Sequence, residues 1–199
     1  DARRTLIEAA ERTSATIEVA EEPVTVIVSE KGWVRARQGH GHDVAQFGYK
    51  AGDGPYGAYE VMTTDQLFAV ATNGRVYSVP VSQLPSARGD GAPITSLVEL
   101  EPGSRIDHAF AAAPGAGVLL AASGGTGLLC QAADLAGRTR QGKAFFALGQ
   151  DEVPLRPALF APGMGRVLCV SAEGKALVFG LDEAKVLRNG GRGVILMGL

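Results

Sequence analysis

From Val24 onward the chain is written in short apolar, β-branched blocks, each closing on a polar stretch that contains glycine. Four blocks superimpose: Val24 to Ser29 before Gly32, Leu67 to Thr72 before Gly74, Val118 to Ser123 before Gly127, and Val167 to Ser171 before Gly174. Each predicts a strand entering a tight two-residue turn, with the glycine supplying the positive φ that such a turn demands. A second strand then leaves, over Trp33 to Arg37, Arg75 to Val79, Leu128 to Ala132 and Lys175 to Phe179. Short strands punctuated in this way predict an all-β sandwich, barrel or propeller-like array. The anchor glycines lie 42, 53 and 47 residues apart, the length of one propeller blade. Ahead of the array, Leu6, Ile7 and Ala10 share one face of a short helix over Thr5 to Arg12, with Glu8 and Glu11 on the other. The chain thus divides into a helical lead-in, residues 1–22, and a β domain of four blade-like units, residues 23–199.

A second register runs through the same copies. Arg88, Arg140 and Arg188 follow their anchor glycines by 14, 13 and 14 residues, and each opens a glycine-containing loop. The loops read Arg88-Gly-Asp-Gly91, Arg140-Gln-Gly-Lys143 and Arg188-Asn-Gly-Gly-Arg-Gly193; in the first unit the loop comes early, as Arg35-Ala-Arg-Gln-Gly-His-Gly41. Glycine beside arginine lets backbone N–H groups approach a phosphate while the guanidinium forks onto its oxygens. The competing reading is that the glycines turn the chain and the arginines are solvated. The densest basic stretch is Lys31 to His42, where strand alternation puts Trp33, Arg35 and Arg37 on one face. Either that face is outward and Trp33 packs against the arginine stems, or Trp33 belongs to the core with the arginines at its rim.

Composition narrows the function classes. With 199 residues, 46% of them hydrophobic, the chain is long enough to bury a real core. It contains no run of about eighteen apolar residues to span a bilayer, and Asp1-Ala2-Arg3-Arg4 lacks the apolar sequel of a signal peptide, so a soluble, cytoplasmic, membrane-free protein is expected. Cys130 and Cys169 stand outside any ligand spacing and read as buried, reduced thiols. The formal charge is -2, but residues 1–22 hold six acids and three bases, which leaves 15 acids and 16 bases for the β domain. Distribution, not the sum, therefore decides what the surface attracts. His40, His42 and Asp43 lack further ligands for a metal site. Asp107-His108 lacks a nucleophile, and Gly163-Met-Gly165 and Gly190-Gly-Arg-Gly193 lack the helix of a nucleotide loop. No catalytic, metal or cofactor site is expected.

The residues also carry a resemblance. Glu22-Pro-Val-Thr25 leading to Glu30-Lys-Gly-Trp-Val-Arg35 and Gly39-His40, then Tyr49-Lys-Ala-Gly-Asp53 and Leu84-Pro-Ser-Ala-Arg-Gly89 with Gly91 and Pro93, are similar to the C-terminal domain of the A-type subunit of bacterial DNA topoisomerase IV. Pro102-Gly103 followed by Asp107-His108 continues the likeness. The resemblance implies a β-pinwheel, a propeller-like disc whose neighbouring blades exchange strands, with double-stranded DNA bent around a positive edge. Five blades are usual there, four are visible here, and Thr5 to Arg12 resembles the connector from the catalytic part. It further implies a module that is itself non-catalytic: the family's active-site tyrosine lies in a preceding domain, and ATP and magnesium act elsewhere in the holoenzyme. The partners would be DNA, the rest of the A-type subunit, and the holoenzyme's B-type subunit, at the nucleoid, in decatenation, supercoil relaxation and chromosome segregation. The DNA-binding set expected is Lys31, Arg35, Arg37, His40, Arg75, Arg88, Arg138, Arg140, Lys143, Lys175, Arg188 and Arg192. Two alternatives are a propeller-like protein-interaction module and the DNA-wrapping domain of gyrase A. The first loop here is not gyrase's glycine-arginine box, and the nearest match, Leu187 to Gly193, falls in the last unit, which favours topoisomerase IV.

Overall fold

The structure, a computed structural model, describes residues 18–161 and 163–199. The helix expected over Thr5 to Arg12 lies outside the described residues, and residues 18–22 have no regular structure. The first hairpin is β1 (Pro23–Ser29) with β2 (Trp33–Gln38), followed by β3 (Pro55–Met62). The second is β4 (Gln66–Ala71) with β5 (Arg75–Pro80), followed by the short β6 (Ala92–Pro93) and by β7 (Ile106–Ala112). The third is β8 (Gly117–Ala121) with β9 (Thr126–Gln131), then one helical turn, α1 (Ala132–Leu135), the short β10 (Lys143–Ala144) and β11 (Ala158–Phe160). The fourth is β12 (Arg166–Val170) with β13 (Ala176–Gly180), followed by the short β14 (Val194–Ile195).

These strands form three four-stranded antiparallel sheets, β3-β1-β2-β6, β10-β5-β4-β7 and β11-β8-β9-β14, and a two-stranded sheet, β12-β13. Each complete sheet is closed by a two-residue strand that arrives only after the next hairpin has been made. Thus β6 pairs with β2, β10 with β5 and β14 with β9. Neighbouring units therefore exchange strands, and the array is the pinwheel that the sequence pointed to. Three of its four units are complete; the fourth is a bare hairpin among the described residues.

Alternation along the strands explains why the blocks are apolar at nearly every position. Leu67, Ala69 and Ala71 of β4 pack with Val24, Val26, Val28 and Val34 of the first sheet. The intervening Phe68 and Val70 pack with Val118, Leu120 and Leu128 of the third. A strand buried on both faces loses the polar half of the period-two pattern. The interface between the third and fourth units is smaller: its buried cluster among the described residues is Leu129, Ala184 and Leu196.

The turns differ from expectation in one respect. Gly32, Gly74, Gly125 and Gly174 carry the positive φ, and each donates its N–H to the carbonyl three residues back, at Ser29, Ala71, Ala122 and Ser171. The closing pair in the fourth turn is Ser171 with Lys175. The loop is thus three residues long, a type I turn followed by a left-handed glycine, instead of a two-residue turn. In the third unit the anchor is Gly125, not Gly127; Gly127 lies inside β9, its Cα opposite Ala121. The spacings become 42, 51 and 49 residues.

Candidate nucleic-acid interface

After each hairpin the chain turns back along the preceding unit, and the basic loops lie on this return path. Ala36 of β2 bonds to both sides of Ser86, accepting from Ala87 N–H and donating to the Pro85 carbonyl. Leu129 of β9 does the same around Val186, with Leu187 and Lys185. Arg88 and Arg188 each follow two residues after these bridges, so they occupy matching places. At the corresponding place in the second unit, Ser78 Oγ bonds to both the N–H and the carbonyl of Gly137, which leads into Arg138-Thr139-Arg140.

Each return ends on a glycine pressed against the strand it joins. A Cβ on Gly91 would sit 2.2 Å from the Val34 carbonyl oxygen, on Gly142 2.4 Å from that of Val76, and on Gly193 1.9 Å from that of Gly127. All three have positive φ. Gly190 is similarly close to the Phe145 carbonyl, at 2.1 Å. These glycines let backbone approach backbone, which is what strand exchange requires. Gly89, by contrast, has open space around its Cβ position.

Four of the expected basic residues hold loops in place. Arg35 donates to the Gly89 and Gly48 carbonyls. Arg75 donates to the Gln141 and Gly142 carbonyls and pairs with Glu101 at 3.3 Å. Lys143 Nζ donates to the Asp134 carbonyl, and Arg192 pairs with Glu152 at 3.0 Å. His40 is exposed with Nε2 at 2.9 Å from the Val61 carbonyl, and Lys175 pairs with its neighbour Glu173. Lys31, Arg37, Arg88, Arg138 and Arg188 are exposed and make no side-chain hydrogen bond or ion pair with a described residue. Arg140 is exposed and tethered by one bond to the Ser96 carbonyl at 2.8 Å.

The Trp33 face is settled by the segment that follows β2, which folds back over the free side of the first sheet. Lys50 Nζ lies 3.3 Å from the Trp33 ring centroid, and the Arg35 and Arg37 guanidiniums lie 5.8 Å from the rings of Tyr49 and Phe47. Trp33 is half-buried beneath this layer. Lys50, Tyr49 and Phe47 were missed as partners because their spacing along the chain follows neither helical nor strand periodicity.

A polar relay joins three units at their third strands. Tyr56 on β3 hydrogen-bonds His108 Nδ1 on β7 at 2.9 Å, and His108 Nε2 lies 3.0 Å from the Pro154 carbonyl before β11. Nε2 must donate to that carbonyl, so Nδ1 accepts from the tyrosine. Arg156 donates to the Tyr56 carbonyl and covers its ring at 4.0 Å. Burial pushes the Tyr56 hydroxyl up to about 12 and lowers His108, the latter against the Pro154 contact and Asp107, which raise it. Asp107-His108 is thus a joint between blades. Burial likewise pushes the Cys130 thiol up to about 12, while Cys169 is only half-buried and is also raised by burial. Among the described residues no three metal-ligating side chains converge, and no helix is long and apolar enough to cross a membrane.

Comparison with known proteins agrees with this geometry. The family model for the DNA gyrase C-terminal domain, beta-propeller, matches residues 65–111 and 165–199. The A-type subunit of DNA topoisomerase 4 from Neisseria gonorrhoeae is 34% identical over the whole chain, which spans 27% of that relative. Among solved structures, the E. coli ParC C-terminal domain superimposes with a TM-score of 0.76 at 32% identity, covering 86% of this chain and 70% of that one. A gyrase A C-terminal domain shares the fold, with a TM-score of 0.61 at 21% identity over 89% of this chain and 61% of that one. The chain therefore belongs to the family of C-terminal domains of the A-type subunit of DNA topoisomerase IV.

Proposed function

We propose that this domain holds and bends double-stranded DNA for a type IIA topoisomerase and has no catalytic role of its own. The observation that carries this reading is the repeated return loop, which displays Arg88, Arg138, Arg140 and Arg188 outward while glycines clamp its base to the neighbouring blade. Such a loop presents a charge on a rigid mount, so little backbone freedom remains to be lost on contact with phosphate. Lys31 and Arg37 add exposed bases on the first unit, with His40 in the same loop, and Lys175 adds one at the turn of the fourth hairpin. The tyrosines fit the non-catalytic reading: Tyr77 is fully buried and accepts from Glu101 N–H, Tyr56 faces His108, Tyr59 faces the Ala109 carbonyl, and Tyr49 lies under Arg35. Cleavage chemistry, with ATP and magnesium, then belongs to the rest of the holoenzyme, its A-type and B-type subunits together. This domain tunes which DNA topologies the holoenzyme prefers in decatenation and relaxation at the nucleoid.

Mobility-shift titration of the triple substitution R88A/R140A/R188A tests the assignment. Loss of affinity for duplex DNA of any sequence is expected, with little change in unfolding free energy, because exposed loop charges contribute little to folding. Unchanged titrations would refute it.

A further inference from the structure

We infer that the main phosphate seat of the DNA surface is a cavity under the Arg138-Thr139-Arg140 loop, an inference that rests on the DNA-holding function proposed above. The cavity holds about 340 Å³ and lies where the return loop from the third unit crosses the end of the second hairpin. Its wall includes Gln66, Ser78, Gln83, Arg138, Thr139 and Arg140.

Three observations single it out. The first is electrostatic. Among the described residues no carboxylate lines this cavity, whereas those at Tyr49, at the fourth hairpin and at Arg188 include Asp53 with Asp90, Glu173 and Asp134 respectively. The same holds along the chain: Asp90 sits two residues from Arg88, Glu173 pairs with Lys175 and Glu152 with Arg192. Two guanidiniums with no acid in the wall attract an anion more strongly than one guanidinium beside an acid. The second is preorganisation. Arg140 is tethered to the Ser96 carbonyl, its own carbonyl accepts from Glu99 N–H, and Gly137 is bonded twice to Ser78. Arg138 is left without an internal partner among the described residues and completes the fork. The third is an unmet polar group: Gln66 Oε1 is buried and has no hydrogen-bond partner among the described residues. The NH₂ of the same carboxamide is neither buried nor bonded to a described residue, and at the cavity wall it is a donor beside the two guanidiniums and the Thr139 hydroxyl. The resulting set is all donors, which suits the unesterified oxygens of a phosphodiester.

Two pairs of variants in the 199-residue chain test this against the other loops. R138A/R140A should weaken duplex binding by about tenfold or more, and should lower the slope of log K against log salt by about 2, one counterion for each lost contact. R88A/R188A should cost less than about threefold. R138A alone removes no internal hydrogen bond, so its expected loss is independent of any disturbance of the fold. With inorganic phosphate as the probe, the Gln66 side-chain amide and Arg138 Nε resonances should shift in the parent chain, and the Gln66 amide should not shift in R138A/R140A. Equal or larger losses for R88A/R188A, or a Gln66 amide indifferent to phosphate, would overturn the seat while leaving the DNA function standing. A parent chain that fails to bind duplex DNA would overturn the function itself, and the seat with it.

Discussion

At the residue scale, Gly91, Gly142 and Gly193 are held at positive φ against backbone carbonyls, so an added methyl group meets strain and overlap at once. Gly142→Ala should destabilise the domain by about 2 kcal/mol or more, read from urea unfolding. Gly89→Ala, with open space around it and no positive φ, should be near neutral. If both behave alike, the glycines are not acting through close approach. Arginines are likewise not equivalent in use: Arg75 holds a loop carbonyl while Arg88 bonds to no described residue, and the letters alone do not separate them. That distinction needs the loop's path, which is set by contacts between residues such as Arg75 and Gln141 that lie far apart in the chain. The same is true of His108, whose partners Tyr56 and Pro154 come from two other units. Its pKa is lowered in the folded state from an ordinary value near 6.5, so the unfolded chain binds the proton more readily. The stabilisation is therefore present above pH 6.5 and is lost as pH falls from 6.5 through the lowered value. Urea unfolding of the parent chain should show this slope, and His108→Gln, which cannot titrate, should flatten it.

At the element scale, the hairpins were legible because both their strands and their turns are local. Period-two patterning and a glycine are enough to find them, and they recur in all four units. The slip from Gly125 to Gly127 arose because Ser123-Gly-Gly-Thr-Gly127 offers three glycines and the pattern of apolar residues does not choose between them; the hydrogen bond from Gly125 to Ala122 does. The two-residue closing strands β6, β10 and β14 could not be read at all, since two residues carry no periodicity and their partners lie in the preceding unit. The fourth hairpin, which among the described residues has neither a third strand paired with β12 nor a further sheet packed on it, shows what those two contribute. Leu168 and Val170 of β12 are each 64% exposed, whereas Phe68 and Val70, at similar places in β4, are 2% and 0% exposed. Ser171 donates to Lys175 across the turn, and alternation then directs the N–H groups of Leu168 and Val170 to the open edge. Hydrogen exchange should therefore be fast at Leu168 and Val170 and slow at Phe68 and Val70, whose strand is paired on both sides by β5 and β7. Comparable protection in the two strands would mean that β12 finds a partner in solution. This open apolar edge, beside a cavity of about 640 Å³ that includes Leu119, Leu155 and Cys169, is the feature that favours the second reading, a site where another strand docks.

At the scale of the whole molecule, the formal charge of -2 looks unfavourable for holding DNA, yet it bears on how DNA is held more than on whether it is held. Counterion release counts the bases that reach phosphate, not the net charge. Of the expected bases, Arg35, Arg75, Lys143 and Arg192 are engaged inside the fold, Lys175 is paired with Glu173 and His40 lies on the Val61 carbonyl, which leaves Lys31, Arg37, Arg88, Arg138, Arg140 and Arg188 as the exposed ones outside any ion pair among the described residues. Six contacts correspond to a slope of log K against log salt of about -5. Because these six lie on separate loops, with acidic residues such as Asp90 between them, they grip a segment at intervals and not along a continuous basic band. A duplex bent over separated grips need not cross itself, whereas one wrapped around the full edge does. When nicked plasmid is resealed by an unrelated enzyme in the presence of this domain, the linking number should therefore change little even where binding is saturated. A large, saturable change of one sign, or a slope near about -10, would show that the engaged arginines leave their loops to join a wrap. In that case clamping the return loop and releasing it would be two states of the same surface, and R75A, which removes a clamp without removing an outward charge, would alter the linking number more than it alters affinity.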